Sequence, residues 1–241
     1  MQIKIKNRFS HEIVLRGEAE SLRRFLAKAK SSVPDLCGAN LPAANLVGIE
    51  LAGMDLRGAN LSGANLTKAD LTEANLTGCN LTKANLTCAR LKGADLSDAN
   101  LTGADLTMAV LEEAVLANAD MYWTILTGAL LKAADLSQTN LSRSNLTLAD
   151  LSEADCFWAD FAGSNLTMTK LLKATLTVAN LSRASLTMAD LSGAVLAGAD
   201  FSGADLSDAD LTGADITETN LIGANLTGAR LLGLDLSRAK R

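Results

Sequence analysis

Catalysis or metal binding in this chain would have to come from few groups: one histidine, His11, four cysteines, Cys37, Cys79, Cys88 and Cys156, and 27 acidic side chains. A histidine acts as base or ligand when a nucleophile, carboxylate or second ligand accompanies it. His11, in "NRFSHEIVLRG", has no such motif beside it and reads as a surface histidine. The cysteines form no CxxC pair, so neither a zinc site nor a disulfide framework is indicated. Gly-X-Gly phosphate loops and a Walker motif are absent, leaving nucleotide binding without support. A net charge of −5 disfavours nucleic acid as a direct ligand. No catalytic, cofactor or metal residues are assigned. What remains is contact chemistry. Of only eight aromatic residues, four come as two pairs, Tyr122–Trp123 and Phe157–Trp158, and Trp and Tyr are enriched at interface hot spots.

The elements that position these residues follow from the period of the chain. From Leu36 to Leu236 every fifth residue is apolar, and 36 of the 41 are Leu; the exceptions are Met121, Cys156, Phe161, Phe201 and Ile216. Two residues earlier stands Ala in 30 units, one earlier Asp or Asn in 30, and one later Ser or Thr in 25, so the unit reads A-[DN]-L-[ST]-X. A period of five fits neither a helix nor a strand. The chain must turn a corner in each unit. A short extended segment points Ala and Leu inward and Asp or Asn outward, and the remaining two residues make the bend. Seventeen of the 18 glycines fall two residues after the Leu position, where a tight turn with positive φ calls for glycine. Strict repetition of such units predicts a solenoid in which no coil is stable alone.

The A-[DN]-L-[ST]-X motif, unbroken from Pro34 to Arg238, resembles the pentapeptide-repeat family. The resemblance implies an all-β solenoid, a right-handed quadrilateral β-helix with four units per coil and about ten coils. Met108, Leu148, Met168 and Met188 differ by multiples of twenty, which favours a four-sided coil over a fifteen-residue one. Residues 1–33 form a distinct N-terminal cap and 34–241 the repeat domain. "IKIKNRFSHEIVLRG" predicts one or two short strands. "EAESLRRFLAKAK" predicts an amphipathic α-helix with Leu22, Phe25, Leu26 and Ala29 on one face, plugging the first coil. Ile49, Met54 and Leu234 replace the small inward residue near the ends. The C-terminal "LLGLDLSRAKR" shows no helix, so Leu232 and Leu234 are candidates for an end-to-end homodimer contact, the alternative being a coil sealed by its own side chains.

Function is sought where the repeat departs from itself. Val110, Val115, Ile125 and Leu130 replace the outward Asp or Asn around the middle of the rod, and Tyr122 and Trp123 lie among them. Met108, Leu148, Met168 and Met188, with Cys88, line one corner, and flexible thioethers adapt to partners. Phe157 and Trp158 fall 35 residues after the first pair, on an adjacent side. Arg143, one coil beyond Trp123, is placed to lie against the indole, with Arg183 continuing the column. Outward apolar groups imply a covering partner, unless the tryptophans only shield corners that lack glycine. The Asp135–Asp155 and Asp215–Asp235 ladders read as local backbone caps rather than cation sites, and the threonine row from Thr67 to Thr227 as family consensus rather than an ice-binding surface. The expectation is a noncatalytic protein-binding or scaffolding module, without cofactor, membrane, nucleic-acid or small-molecule partner. The alternative, implied by the resemblance, is an acidic DNA mimic that binds DNA gyrase or topoisomerase as quinolone-resistance members do; their interrupting loops are missing here. No signal peptide and no 18-residue apolar run occur, so a cytoplasmic location is expected.

Overall fold

The computed structural model describes residues 2–18, 26 and 35–240. Each residue preceding a Leu position pairs in parallel with the residue twenty further on: Asp35 with Asp55, Asn40 with Asn60, and so on to Asp210 with Arg230. One coil therefore takes twenty residues and has four paired segments separated by four corners. Coils stack at about 4.8 Å, the ordinary spacing of hydrogen-bonded strands.

A complete account of the backbone donors explains the repeat. In the unit around Leu61, Asn60 N–H donates to Ala39 on the coil below and Leu61 and Gly63 N–H donate to Asn80 and Thr82 on the coil above. Ala64 N–H closes the turn onto Leu61. The fifth donor, Ser62 N–H, has no coil to reach and is taken by the side-chain oxygen of Asn60 at 3.2 Å. The same bond recurs wherever Asp or Asn precedes the Leu position, as at Asp95–Ser97, Asn140–Ser142 and Asp200–Ser202. Asp and Asn are thus selected because they cap the one orphan N–H of every unit. Pro42, which has no N–H, occupies that donor position after Asn40 without loss.

The Leu and Ala positions fill a continuous buried core from Leu36 to Leu221. Several inward positions carry hydroxyls instead, and each needs a partner. Thr139, Thr169 and Thr219 donate to the carbonyls of Leu116, Leu146 and Leu196 on the coil below, at 2.8–2.9 Å. Ser144 does the same to Met121 at 2.7 Å. Ile49 and Met54 are buried as anticipated, whereas Leu234 is only partly covered.

The corner position differs from expectation. Every glycine there from Gly38 to Gly233 has φ between 58° and 82°, but so do Lys68, Glu73, Trp123, Val178 and many others, at 56–58° for these four. The turn imposes the left-handed conformation on whatever residue stands there, rather than requiring glycine.

At the N-terminus, β1 (Gln2–Lys6) and β2 (Ile13–Glu18) form an antiparallel hairpin. Asn7 bridges to Ala39, docking the hairpin on the first coil, and Ile5 joins the core. The expected α-helix lies outside the described residues apart from Leu26, which is buried in the core. At the other end, a 3-10 turn at Leu236–Arg238, which the sequence did not announce, follows the last corner.

Candidate functional site

Because the left-handed corner residue points its side chain away from the core, residues twenty apart form ridges along the corners. One ridge carries Cys88, Met108, Leu148, Met168 and Met188, all exposed as the spacing predicted. A second carries Lys83, Trp123, Arg143 and Arg183, separated by Gly103 and Gly163. A third, diagonally opposite the second, carries Glu73, Glu113 and Glu153. Trp158 stands on the fourth, adjacent to the Trp123 ridge.

Two of the three carboxylates on the acidic ridge are paired within the chain, since Lys92 reaches Glu113 at 3.1 Å and Lys132 reaches Glu153 at 3.3 Å. Lys83, Arg143 and Arg183 make no ion pair among the described residues. Trp123 is 64% exposed and Trp158 62%. Phe157, Tyr122, Ile125 and Leu130 are exposed too, while Val110 and Val115 are half-buried. Leu172, Val178, Val195 and Ile222 are further exposed apolar groups that the sequence reading did not single out.

Replacing Asp or Asn by an apolar residue has a second effect. With no side-chain acceptor at Val110, Val115, Ile125 and Leu130, the N–H groups of Glu112, Ala117, Thr127 and Lys132 find no acceptor among the described residues. The belt therefore combines apolar surface with unspent backbone donors.

Three of these features meet in a groove of about 160 Å³ lined by Gly103, Trp123, Thr124, Ile125, Arg143 and Asn145. Gly103 forms its floor, and a Cβ there would meet the Trp123 ring at 3.5 Å and Lys83 Cγ at 3.6 Å, ordinary van der Waals contact. Asn145 spends its Oδ1 on the N–H and hydroxyl of Thr147, which leaves its amide N–H groups without an acceptor among the described residues. The expected stacking of Arg143 on the indole is not formed; the cation–π contact among the described residues is Arg8 over Phe9, at 4.5 Å. Trp123 lies toward Gly103, on the coil below, while the Arg143 side chain, which also lines the groove, has its Cγ toward Gly163 on the coil above. Asn145, Gly103 and the open Thr127 N–H were not legible beforehand, because their roles depend on neighbours twenty residues away.

Several titratable groups elsewhere are engaged in structure. Burial pushes the Cys79 thiol up to about 12 and raises that of Cys156 as well, so both stay protonated. The Arg57 side chain, 2.6 Å from Asp55, holds that carboxyl below its ordinary value. Asp55 forms a ligand-like cluster with Asp35 and Cys37, for which Arg57 is the built-in counter-ion. In the threonine row, the Thr67, Thr107, Thr147 and Thr167 hydroxyls donate to the preceding Asn or Asp at 2.6 Å. No helix among the described residues is long and apolar enough to cross a membrane.

The family model for pentapeptide repeats matches residues 35–72, 64–103, 94–132, 129–167, 174–213 and 204–240. No curated protein matches the chain. Among solved structures, HetL, a pentapeptide repeat protein involved in heterocyst differentiation regulation from the cyanobacterium Nostoc sp., is 34% identical. That match covers 88% of this chain and 95% of HetL, with a TM-score of 0.54. QnrB1, a plasmid-mediated fluoroquinolone resistance protein, is 17% identical over 71% of this chain and 90% of its own, with a TM-score of 0.58, a likeness of fold alone.

Proposed function

The chain belongs to the pentapeptide repeat family, and from that premise we propose that it is a noncatalytic protein-binding or scaffolding module whose interface is the mid-rod belt. The observation that carries this reading is the exposure of Trp123 within the segment where Val110, Val115, Ile125 and Leu130 replace the outward polar residue and its backbone cap, with Trp158 exposed on the adjacent ridge. The similarity to HetL supports a regulatory setting for such binding. The rest of the chain is a rigid support. For it we take a right-handed, four-sided coil of about ten turns, the hand favoured for parallel connections, with residues 1–33 as the cap and the cytoplasm as its place. End-to-end pairing through Leu232 and Leu234 would add a second contact, supported by the 76% exposure of Leu232.

Association is to be compared between wild type and the double variant Trp123→Ala/Trp158→Ala, by partner pull-down and by calibrated solution mass. Loss of association with an unchanged melting curve supports the belt, whereas unchanged behaviour in both assays refutes it. The DNA-mimic reading is opposed by the internal pairing of Glu113 and Glu153 with lysines, which breaks up the acidic ridge. Titration into a gyrase supercoiling assay decides it: an effect at micromolar protein would replace the present reading.

A further inference from the structure

Resting on the reading above, we infer that the Trp123–Arg143 groove is the anchor point for an acidic, extended segment of a partner protein, in which an apolar side chain enters the groove and a neighbouring carboxylate meets Arg143. Four features converge on this occupant. The groove, at about 160 Å³, is smaller than the cavities that hold cofactors or drug-sized ligands and is sized for one side chain. Its apolar walls are Trp123 and Ile125, both exposed. Its polar lining residues Arg143 and Asn145 carry donor groups, as does the Thr127 N–H two residues beyond Ile125, and none of these donors has an acceptor among the described residues. Finally, Lys83 and Arg183 extend the positive charge along the same ridge, three coils below and two coils above Arg143, over about 24 Å at the ordinary coil spacing.

A segment of about seven extended residues spans that ridge. Its carboxylates would find charge-assisted bonds, bidentate at Arg143, and its carbonyls would find the open N–H groups. A second copy of this chain is a poorer occupant, because two of the three glutamates on the acidic ridge it would present, Glu113 and Glu153, are already paired with Lys92 and Lys132. A nucleic acid is a poorer one too, since three cations on a chain of net charge −5 give little counterion release and the groove walls are apolar.

The test uses the full chain carrying Trp158→Phe, so that fluorescence reports Trp123 alone. It is titrated with a blocked heptapeptide of alternating glutamate and leucine, with its glutamine-for-glutamate and lysine-for-glutamate counterparts, and with an oligothymidylate of equal charge. The acidic peptide is expected to shift the Trp123 emission saturably, Arg143→Glu to weaken it about tenfold or more, and Arg143→Lys to weaken it less. Lys83→Glu and Arg183→Glu are expected to cost a few-fold each, with the effect fading as salt rises. Equal binding of the glutamine peptide, stronger binding of the oligothymidylate, or insensitivity to Arg143→Glu overturns the inference. Should the acidic peptide fail while Trp123→Ala/Trp158→Ala still abolishes partner association, the anchor chemistry is wrong and the belt reading survives.

Discussion

Trp123 and Val178 occupy the same kind of position, a corner residue with φ of 58°, yet nothing suggests that the conformation benefits either. For an L-residue the left-handed region costs about 1–2 kcal/mol, and β-branched residues suffer most. Val178 is exposed, so the strain is not repaid by burial. Val178→Asn is therefore expected to stabilise the protein by about 1 kcal/mol, because Asn tolerates this region and carries no extra backbone entropy as glycine would. A urea-unfolding midpoint unchanged or lowered by the substitution would contradict the strain argument. At Trp123 the same φ is found in a side chain that packs over Gly103 and walls a groove.

One element, the five-residue unit, distributes its donors so that a single side chain decides whether the surface backbone is closed. Asn140 takes Ser142 N–H at 3.1 Å and passes its own amide to Asp120 at 2.9 Å. Asn140→Ala is expected to cost about 1–2 kcal/mol and to speed amide exchange at Ser142. The converse, Leu130→Asn, supplies an acceptor for Lys132 N–H and should slow exchange there while raising stability. Where the cap is a carboxylate, the bond is linked to pH. Burial pushes Asp95 upward, but bonds from the Ser97 hydroxyl and N–H outweigh it, and Asp205 and Asp210 are lowered chiefly by bonds from Ser207 and Thr212. A lowered folded value means that the stabilisation is complete above about pH 4 and is lost as pH falls through the folded values. The melting temperature should hold between pH 8 and 5 and drop below about 4, with a shallower drop in Asp95→Asn, which keeps the acceptor oxygen but cannot protonate. This bond logic also marks how far the sequence could be read. The leucine spacing showed the unit, and the spacing of Met108, Leu148, Met168 and Met188 favoured the twenty-residue coil that the family resemblance implied, because both are periodic. The imposed positive φ at Lys68 or Trp123 was hidden, since glycine at 17 of 41 corners suggested a requirement rather than a tolerance.

At the scale of the molecule, the sequence acts as an address system with modulus twenty: Gly103, Trp123 and Arg143 share a ridge only because nothing interrupts the register between them. The groove was unreadable for this reason, as it is a property of residues one coil apart and not of any local motif. A register argument makes a prediction that no point substitution can. Duplicating residues 129–148 adds one full coil and leaves an arginine twenty residues beyond Trp123, so the groove is rebuilt. Duplicating only residues 129–133 adds one unit, which the solenoid can absorb because each unit contributes the same inward pair and nearly the same bonds. Arg143 is then carried a quarter-turn to the next corner, and the groove loses its cation. Both variants are expected to keep a β-type circular dichroism spectrum and a cooperative melt, but only the twenty-residue duplication should retain the response of Trp123 to the acidic peptide. If the five-residue duplication binds as well as wild type, the ridge is not the recognition unit, and the charge on Arg143 acts independently of the Trp123 wall.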